Sequence, residues 1–172
     1  MGDPRKFKNK YESPKKIWDA QRIRTESRLK RIYGLKNSRE VWVTLHLLKR
    51  ARRNAMKYLS LGEEGEKKAS SLIKKLAKLG IVSENAKLDD ILSLSVENFL
   101  DRRLQTIVFK KGLARTIKQA RQLITHGFIA INGKKVTVPS YMVSSAEEKQ
   151  IGYYKPIDLS VPENKQPKAE AA

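Results

Sequence analysis

From Arg102 to Lys135 the chain carries nine Lys or Arg residues and no Asp or Glu, yet the same stretch has the patterning of a folded unit. Leu100, Leu104, Ile107 and Val108 recur at helical spacing and Gly112 follows as a terminator. Thr116 with Gln119 three residues on fits a capping box, so a second helix is expected from about Thr116. At about 100° per residue, Ile117, Ala120, Leu123 and Ile124 share one arc, while Lys118, Arg121, Gln122 and Thr125 share the other. Gly127 closes that helix. Phe128 to Val138 then alternates as two strands around Asn132-Gly133, the pair best suited to a type I′ turn, with Lys134 and Lys135 beside it. A helix-turn-helix and hairpin with cations and no carboxylates is a folded surface for a polyanion.

Whole-chain charge points the same way. The 172 residues carry a formal net charge of +19 and a pI near 10.2, a self-repulsion that a standing anionic partner would relieve, with nucleic acid first among candidates. The 40% of hydrophobic residues suffices for modest cores. No run approaches the roughly 18 apolar residues of a membrane span, and the opening MGDPRKFKNK has no apolar signal core. A cytoplasmic location and no membrane association are expected. With no cysteine, disulfides and cysteine-based metal sites are excluded.

Charge is distributed in blocks. Residues 1–58 hold 18 basic and 5 acidic residues, 59–101 hold 6 and 8, 102–135 hold 9 and 0, and 136–172 hold 4 and 5. Two basic blocks flank a near-neutral one that reads as packing. The expected class is α+β: an extended basic arm over 1–16, a helical binding and packing region over 17–98, the helix-turn-helix and β-hairpin module over 99–155, and an irregular tail over 156–172.

In the arm, Arg5, Lys6, Lys8 and Lys10 precede any helix, and Pro4 and Pro14 discourage regular structure, as expected of a segment that orders against phosphates. Tyr11 interleaves these charges and could stack on an unpaired base. Trp18, at the start of a helical pattern, is read as a packing residue. A helix from about Ile17 to Tyr33 ends at Gly34, and Asn37 with Glu40 forms a capping pair for a second helix running to about Leu59. There Val41, Leu45 and Leu48 suit a core, while Lys49, Arg50, Arg52 and Arg53 spread charge too widely for an ordinary solvated face and are read as phosphate contacts. Gly62 to Glu66 reads as an exposed loop, Leu72, Ile73, Leu76 and Leu79 as a structural helix, and Ser95 as the cap of the helix entering the module. Pro156, Pro162 and Pro167 mark the tail.

Catalytic chemistry has no constellation. His46 and His126 fall on different elements, no metal-ligand spacing or phosphate-binding glycine loop is present, and the adjacent pairs Glu63-Glu64 and Asp89-Asp90 do not face a common site. No enzyme activity, metal or cofactor is expected.

The segment GLARTIKQARQLITHGFIAINGKKVTVPSYMV resembles the RNA-binding module first known from the fourth protein of the small ribosomal subunit. The opening MGDPRKFKNKYESPKKIW resembles the archaeal and eukaryotic branch of that ribosomal family, so the likeness covers nearly all of the chain. The module also occurs in pseudouridine synthases, tyrosyl-tRNA synthetases and RNA-binding heat-shock proteins. What the resemblance implies is a primary binder of small-subunit rRNA at a multi-helix junction. It would act early in assembly of the particle body, beside neighbouring small-subunit proteins, near the messenger RNA and with an influence on translational accuracy. Carried over residue by residue, the RNA-facing positions are Arg115, Lys118, Arg121, Gln122, His126, Asn132, Lys134 and Lys135, with Arg102 and Arg103 at the start of the module. Some bacterial members carry an N-terminal cysteine zinc site, from which this chain departs. No homo-oligomer is expected.

Rival readings have weaker support. A DNA-binding helix-turn-helix would place Lys118 and Arg121 in a major groove, but the hairpin and the breadth of the basic surface suit RNA. An amphipathic membrane-surface protein would need an exposed large apolar face. A non-ribosomal RNA-binding accessory protein could use the same module, whereas an RNA-modifying enzyme would need an attached catalytic domain with its own catalytic acids, and the roughly hundred helical residues before the module offer no such constellation.

Overall fold

The computed structural model of the chain describes residues 9–83 and 85–156. Arg5, Lys6 and Lys8 of the arm, and the tail beyond Pro156, lie outside the described residues.

Local signals set most helix boundaries. The first helix, α1 (Ala20–Tyr33), starts three residues later than its apolar pattern suggests because Asp19 caps it, accepting from the amides of Gln21 and Arg22. Ile17 and Trp18 therefore precede the helix, and the packing role expected for Trp18 is overturned, since it is 91% exposed. Gly34 ends α1 in the left-handed conformation at φ 58°. A Cβ there would sit 2.8 Å from Ile117 Cγ2 and 3.0 Å from Gln105 Nε2, so glycine also permits close packing against the module. The second helix, α2 (Ser38–Leu59), starts at the expected cap, with Asn37 Oδ1 accepting from the amide of Glu40. The third, α3 (Glu63–Lys78), absorbs most of the stretch expected to be a loop.

The single helix expected to end at Gly112 is broken into α5 (Val96–Asp101) and α6 (Leu104–Lys110), preceded by a short α4 (Leu88–Ser93). The break at Arg102 and Arg103 has a tertiary cause. The carbonyl of Arg102 accepts from Val143 N–H at 3.0 Å, the amide of Leu104 donates to Tyr141 at 2.8 Å, and Arg103 forms a bridge with Met142. A later segment claims backbone groups that a continuous helix would have used.

Next come α7 (Ile117–Thr125), β1 (Ile129–Ile131) and β2 (Lys134–Lys135), with Asn132 at φ 52° and Gly133 at φ 72° in the turn, as the Asn-Gly pair requires. After a four-residue helix, α8 (Ser145–Glu148), the strand β3 (Ile151–Tyr153) pairs antiparallel with the far edge of β1, giving the order β2-β1-β3. This third strand had no distinct sequence signal. Helices with a small antiparallel sheet make the chain α+β, as expected.

Three apolar clusters hold these elements. Leu104, Ile107, Val108, Leu123, Ile124, Ile129 and Val143 fill the module. Leu48, Ala55, Leu76, Ile91 and Phe99 join α2 to α3, α4 and α5, with Met142 reaching in from the module side. Leu29, Tyr33, Val41 and Leu100 join α1, α2 and α5, with Ile117 packed against them. Leu100 and Ile117 bind the helical region to the module directly.

Candidate nucleic-acid interface

Which of the many cations are available to a ligand is decided by the few carboxylates folded among them. Glu40 lies in the first turn of α2, where its backbone is held by the Asn37 cap. Its side chain leaves the helix toward the module. Arg103 Nη2 donates to Glu40 Oε2 at 2.5 Å, Arg121 Nη2 to Oε1 at 2.8 Å, and Arg121 Nη1 to Oε2 at 3.2 Å. One carboxylate thus receives two guanidinium groups, with Arg121 in the bidentate fork that arginine geometry favours. Burial pushes the Glu40 carboxyl upward, but the hydrogen bond from Arg121 and the charges of Arg103 and Arg121 outweigh it and hold Glu40 below its ordinary value.

Beside this triad, Gln105 is 1% exposed and its Nε2 lies 3.3 Å from Tyr33 O, 3.1 Å from Gly34 O and 3.0 Å from Ile117 O. Gln105 Oε1 lies 3.4 Å from Arg121 Nη1. The amide therefore satisfies carbonyls at the end of α1 and the start of α7, fixing the module's second helix on the helical region.

These bonds revise the expected RNA-facing set. Arg103 is a correction: its side chain is 5% exposed and bound to Glu40, so it is an interior group and presents nothing to a phosphate. Arg121 is turned inward on the same carboxylate. Arg102 is mostly buried, paired with Glu148 at 2.8 Å and donating to Val143 O at 3.3 Å. In the N-terminal block, Arg52 donates to Leu94 O at 2.5 Å while the residue as a whole stays exposed.

An open row is left. Lys118, Gln122 and His126 recur every four residues, so they share a face of α7, and all are exposed, as is Arg115 just before the helix. Thr116 Oγ1 accepts from the amide of Gln119, and Gln119 Oε1 returns to the amide of Arg115, one residue earlier than the expected box. That return bond fixes the backbone at Arg115. The His126 ring lies 6.4 Å from that of Phe128, tilted by 32°. In the hairpin, Asn132, Lys134 and Lys135 are exposed. Lys135 crosses Gly127 so closely that a Cβ there would lie 2.1 Å from its Cε, which sets its stem against the end of α7. Among the described residues, Arg115, Lys118, Lys134 and Lys135 have no carboxylate within ion-pair distance, so their charge is available to an outside anion.

On the N-terminal block, Arg50 and Arg53 are exposed, while Lys49 Nζ and His46 Nδ1 each lie 3.6 Å from Glu12. Tyr11 packs on Trp42 with ring centroids 5.9 Å apart. Lys10 is exposed. The segment before α1 is thereby fastened to α2 by Tyr11 and Glu12. Sequence reasoning missed Glu40 and Gln105. Glu40 has a complete local explanation as a capping residue, and its arginine partners lie 63 and 81 residues away.

Among the described residues no helix is long and apolar enough to cross a membrane, and no three His, Cys, Asp or Glu side chains gather as a metal site.

The family model described as the S4 domain matches residues 102–149, the span holding the row on α7 and the hairpin. Over a greater length, the chain is 51% identical across 154 residues to small ribosomal subunit protein uS4 of Ignicoccus hospitalis, covering 89% of this chain and 93% of that protein. It is 48% identical across 155 residues to uS4 of Methanothermobacter thermautotrophicus, covering 90% and 91%. With uS4 of Korarchaeum cryptofilum it shares 48% across 161 residues, covering 94% and 97%. With half of its residues shared over nearly the whole length of these proteins, the chain belongs to the small ribosomal subunit protein uS4 family.

Proposed function

We propose that the protein is a structural constituent of the small ribosomal subunit that binds small-subunit rRNA at a multi-helix junction, nucleates assembly of the body and influences translational accuracy. Its relatives carry the name of a small-subunit ribosomal protein. The observation that carries the RNA-binding part is the row Arg115, Lys118, Gln122 and His126 beside Lys134 and Lys135, exposed and free of carboxylates among the described residues. Lysine and arginine placed this way neutralise phosphates, while Gln122 and Asn132 can reach 2′-hydroxyls or base edges. Arg50 and Arg53 on α2, with Lys10 and the rest of the arm, form a second basic surface. Two surfaces held rigidly by Glu40 and Gln105 suit a clamp that fixes the angle between two RNA helices. In this reading residues 17–98 and 99–155 act as the two jaws, neighbouring small-subunit proteins and the messenger lie close by, the protein is monomeric, and it works in the cytoplasm within the ribosome.

The test is chemical footprinting of the purified protein on full-length small-subunit rRNA at moderate salt with excess competitor RNA. Protection confined to one multi-helix junction is the expected result. Diffuse protection erased by competitor would reduce the protein to a generic basic RNA binder.

A further inference from the structure

Away from the module, a slot of about 370 Å³ opens between the segment before α1, the outer face of α1 and the start of α2. Its size falls at the low end of the roughly 300–1,000 Å³ of small-molecule sites. Pro14, Ile17, Ile23 and Trp42 give it apolar and aromatic walls, and Lys30 lies at its edge. Glu26 also lines it, with a side chain only 7% exposed. Both donors that reach this carboxylate converge on one oxygen: Trp42 Nε1 at 2.9 Å and Arg22 Nη1 at 2.6 Å, each to Oε1. Among the described residues no donor reaches Oε2. That second oxygen keeps contact with solvent and is not one of the buried orphaned atoms, so it is open to a donor entering the slot.

We propose that this slot receives an unpaired guanine base of the bound RNA, an inference that rests on the rRNA-binding reading above. A base is flat and apolar on its faces, which suits walls made by an indole and branched aliphatic chains. The edge it presents to Glu26 must offer donors. Guanine carries two adjacent N–H donors on its Watson–Crick edge. Adenine and cytosine set a ring-nitrogen acceptor beside their amino group, and uracil flanks its single N–H with two carbonyls, so each would turn a lone pair toward the carboxylate. Arg22 offsets the charge of Glu26, and Lys30, with Lys15 and Lys16 exposed on the preceding segment, supplies cations for the phosphates on either side of the base. A protein partner would gain little from so basic a rim. Trp18 and Ile17, 91% and 69% exposed, stand at the turn leading into α1 and offer further apolar surface for the strand entering the slot.

The experiment compares the full-length protein with two variants on full-length small-subunit rRNA, probed with a reagent that modifies the N1 and N2 positions of guanine. Ser27→Trp plugs the slot from an exposed position on α1 and leaves every bond of Glu26 untouched; Glu26→Gln alters the acceptor. Thermal melts establish that each variant is folded. The expected result is one guanine protected by the wild type that loses its protection with either variant while the remaining footprint persists. Affinity should fall between about fivefold and a hundredfold, as for loss of one stacked base. If no guanine changes reactivity and the footprint is intact, the slot proposal is overturned and the RNA-binding reading stands. If the wild type gives no confined footprint, that reading fails and the slot proposal with it.

Discussion

Arg121, on the polar face of α7, places Nη2 2.8 Å from Oε1 of Glu40 at the start of α2, joining residues 81 positions apart. The guanidinium that sequence pattern puts on an outward basic face is thereby directed inward, where it shares its carboxylate with the buried Arg103. A block of nine cations without a single acid can still be partly neutral inside, because the acid arrives from another part of the chain.

Glu40→Gln should therefore destabilise the fold by about 2–4 kcal/mol, since it leaves the Arg103 charge buried and uncompensated. Chemical denaturation of the two proteins measures this. A difference below about 0.5 kcal/mol would show that the triad adds nothing to stability.

The same carboxylate sets an acid dependence. Its folded-state pKa lies below the ordinary 4.5, so the stabilisation is fully present above the unfolded value and is lost as pH falls through the folded one. The wild type should lose stability from about pH 5 downward more steeply than Glu40→Gln. Parallel pH profiles for the two proteins would contradict the assignment.

Lys118 and Arg121 should separate binding from stability. Lys118→Ala should change stability by less than about 0.5 kcal/mol and lower the magnitude of the salt slope of RNA binding by about 0.7–0.9, the contribution of one phosphate contact. Arg121→Met should do the reverse, costing about 1–3 kcal/mol of stability with the salt slope unchanged. Filter binding across a salt series, beside thermal melts, reads both.

Gln105→Leu keeps roughly the volume of the side chain and removes its donors, leaving the carbonyls of Tyr33 and Gly34 short of a partner and taking the second bond from the Ile117 carbonyl. A loss of about 2–3 kcal/mol is expected from buried groups left unsatisfied. Hydrogen exchange should increase at the start of α7 and the end of α1 together. An increase confined to one of them would mean that Gln105 does not couple the two.

Tyr33 gives an alkaline counterpart. Burial pushes its phenol up to about 12, with the negative charges of Asp101 and Glu97 adding to the effect. Below the ordinary value of 10.0 its contribution is unchanged; between 10.0 and about 12 the unfolded chain ionises first and stability falls. Among the six tyrosines, Tyr141 is also raised, by its hydrogen bond to Glu147. Ultraviolet titration should therefore show late ionisation from which Tyr33→Phe removes the step at about 12 and leaves the Tyr141 contribution in place.

Elements governed by near neighbours were legible in the sequence. The Asn37 and Thr116 caps, the left-handed Gly34, the apolar arc of α7 and the Asn132-Gly133 turn depend on residues within about four positions, where spacing and side-chain chemistry suffice. The likeness of the module and of the opening residues to the ribosomal family was legible for the same reason, as it resides in the order of residues. Spacing failed wherever a distant segment competed. It ran a helix through Arg102 and Arg103, whose backbone is claimed by Met142 and Val143; it gave a packing role to Trp18, which the structure leaves exposed; and it gave no sign of β3, a three-residue strand with a short pattern.

The sequence by itself determined how much positive charge the protein carries, which segments hold it and which helices and turns display it. Tertiary structure alone decided which charges remain for a ligand. Within the module Glu40 claims Arg103 and Arg121 and Glu148 claims Arg102, while Arg115, Lys118, Lys134 and Lys135 stay open. The physical reason is that helix periodicity is fixed by bonds four residues long, whereas a carboxylate neutralises whichever guanidinium packing brings within about 3 Å, at any distance along the chain.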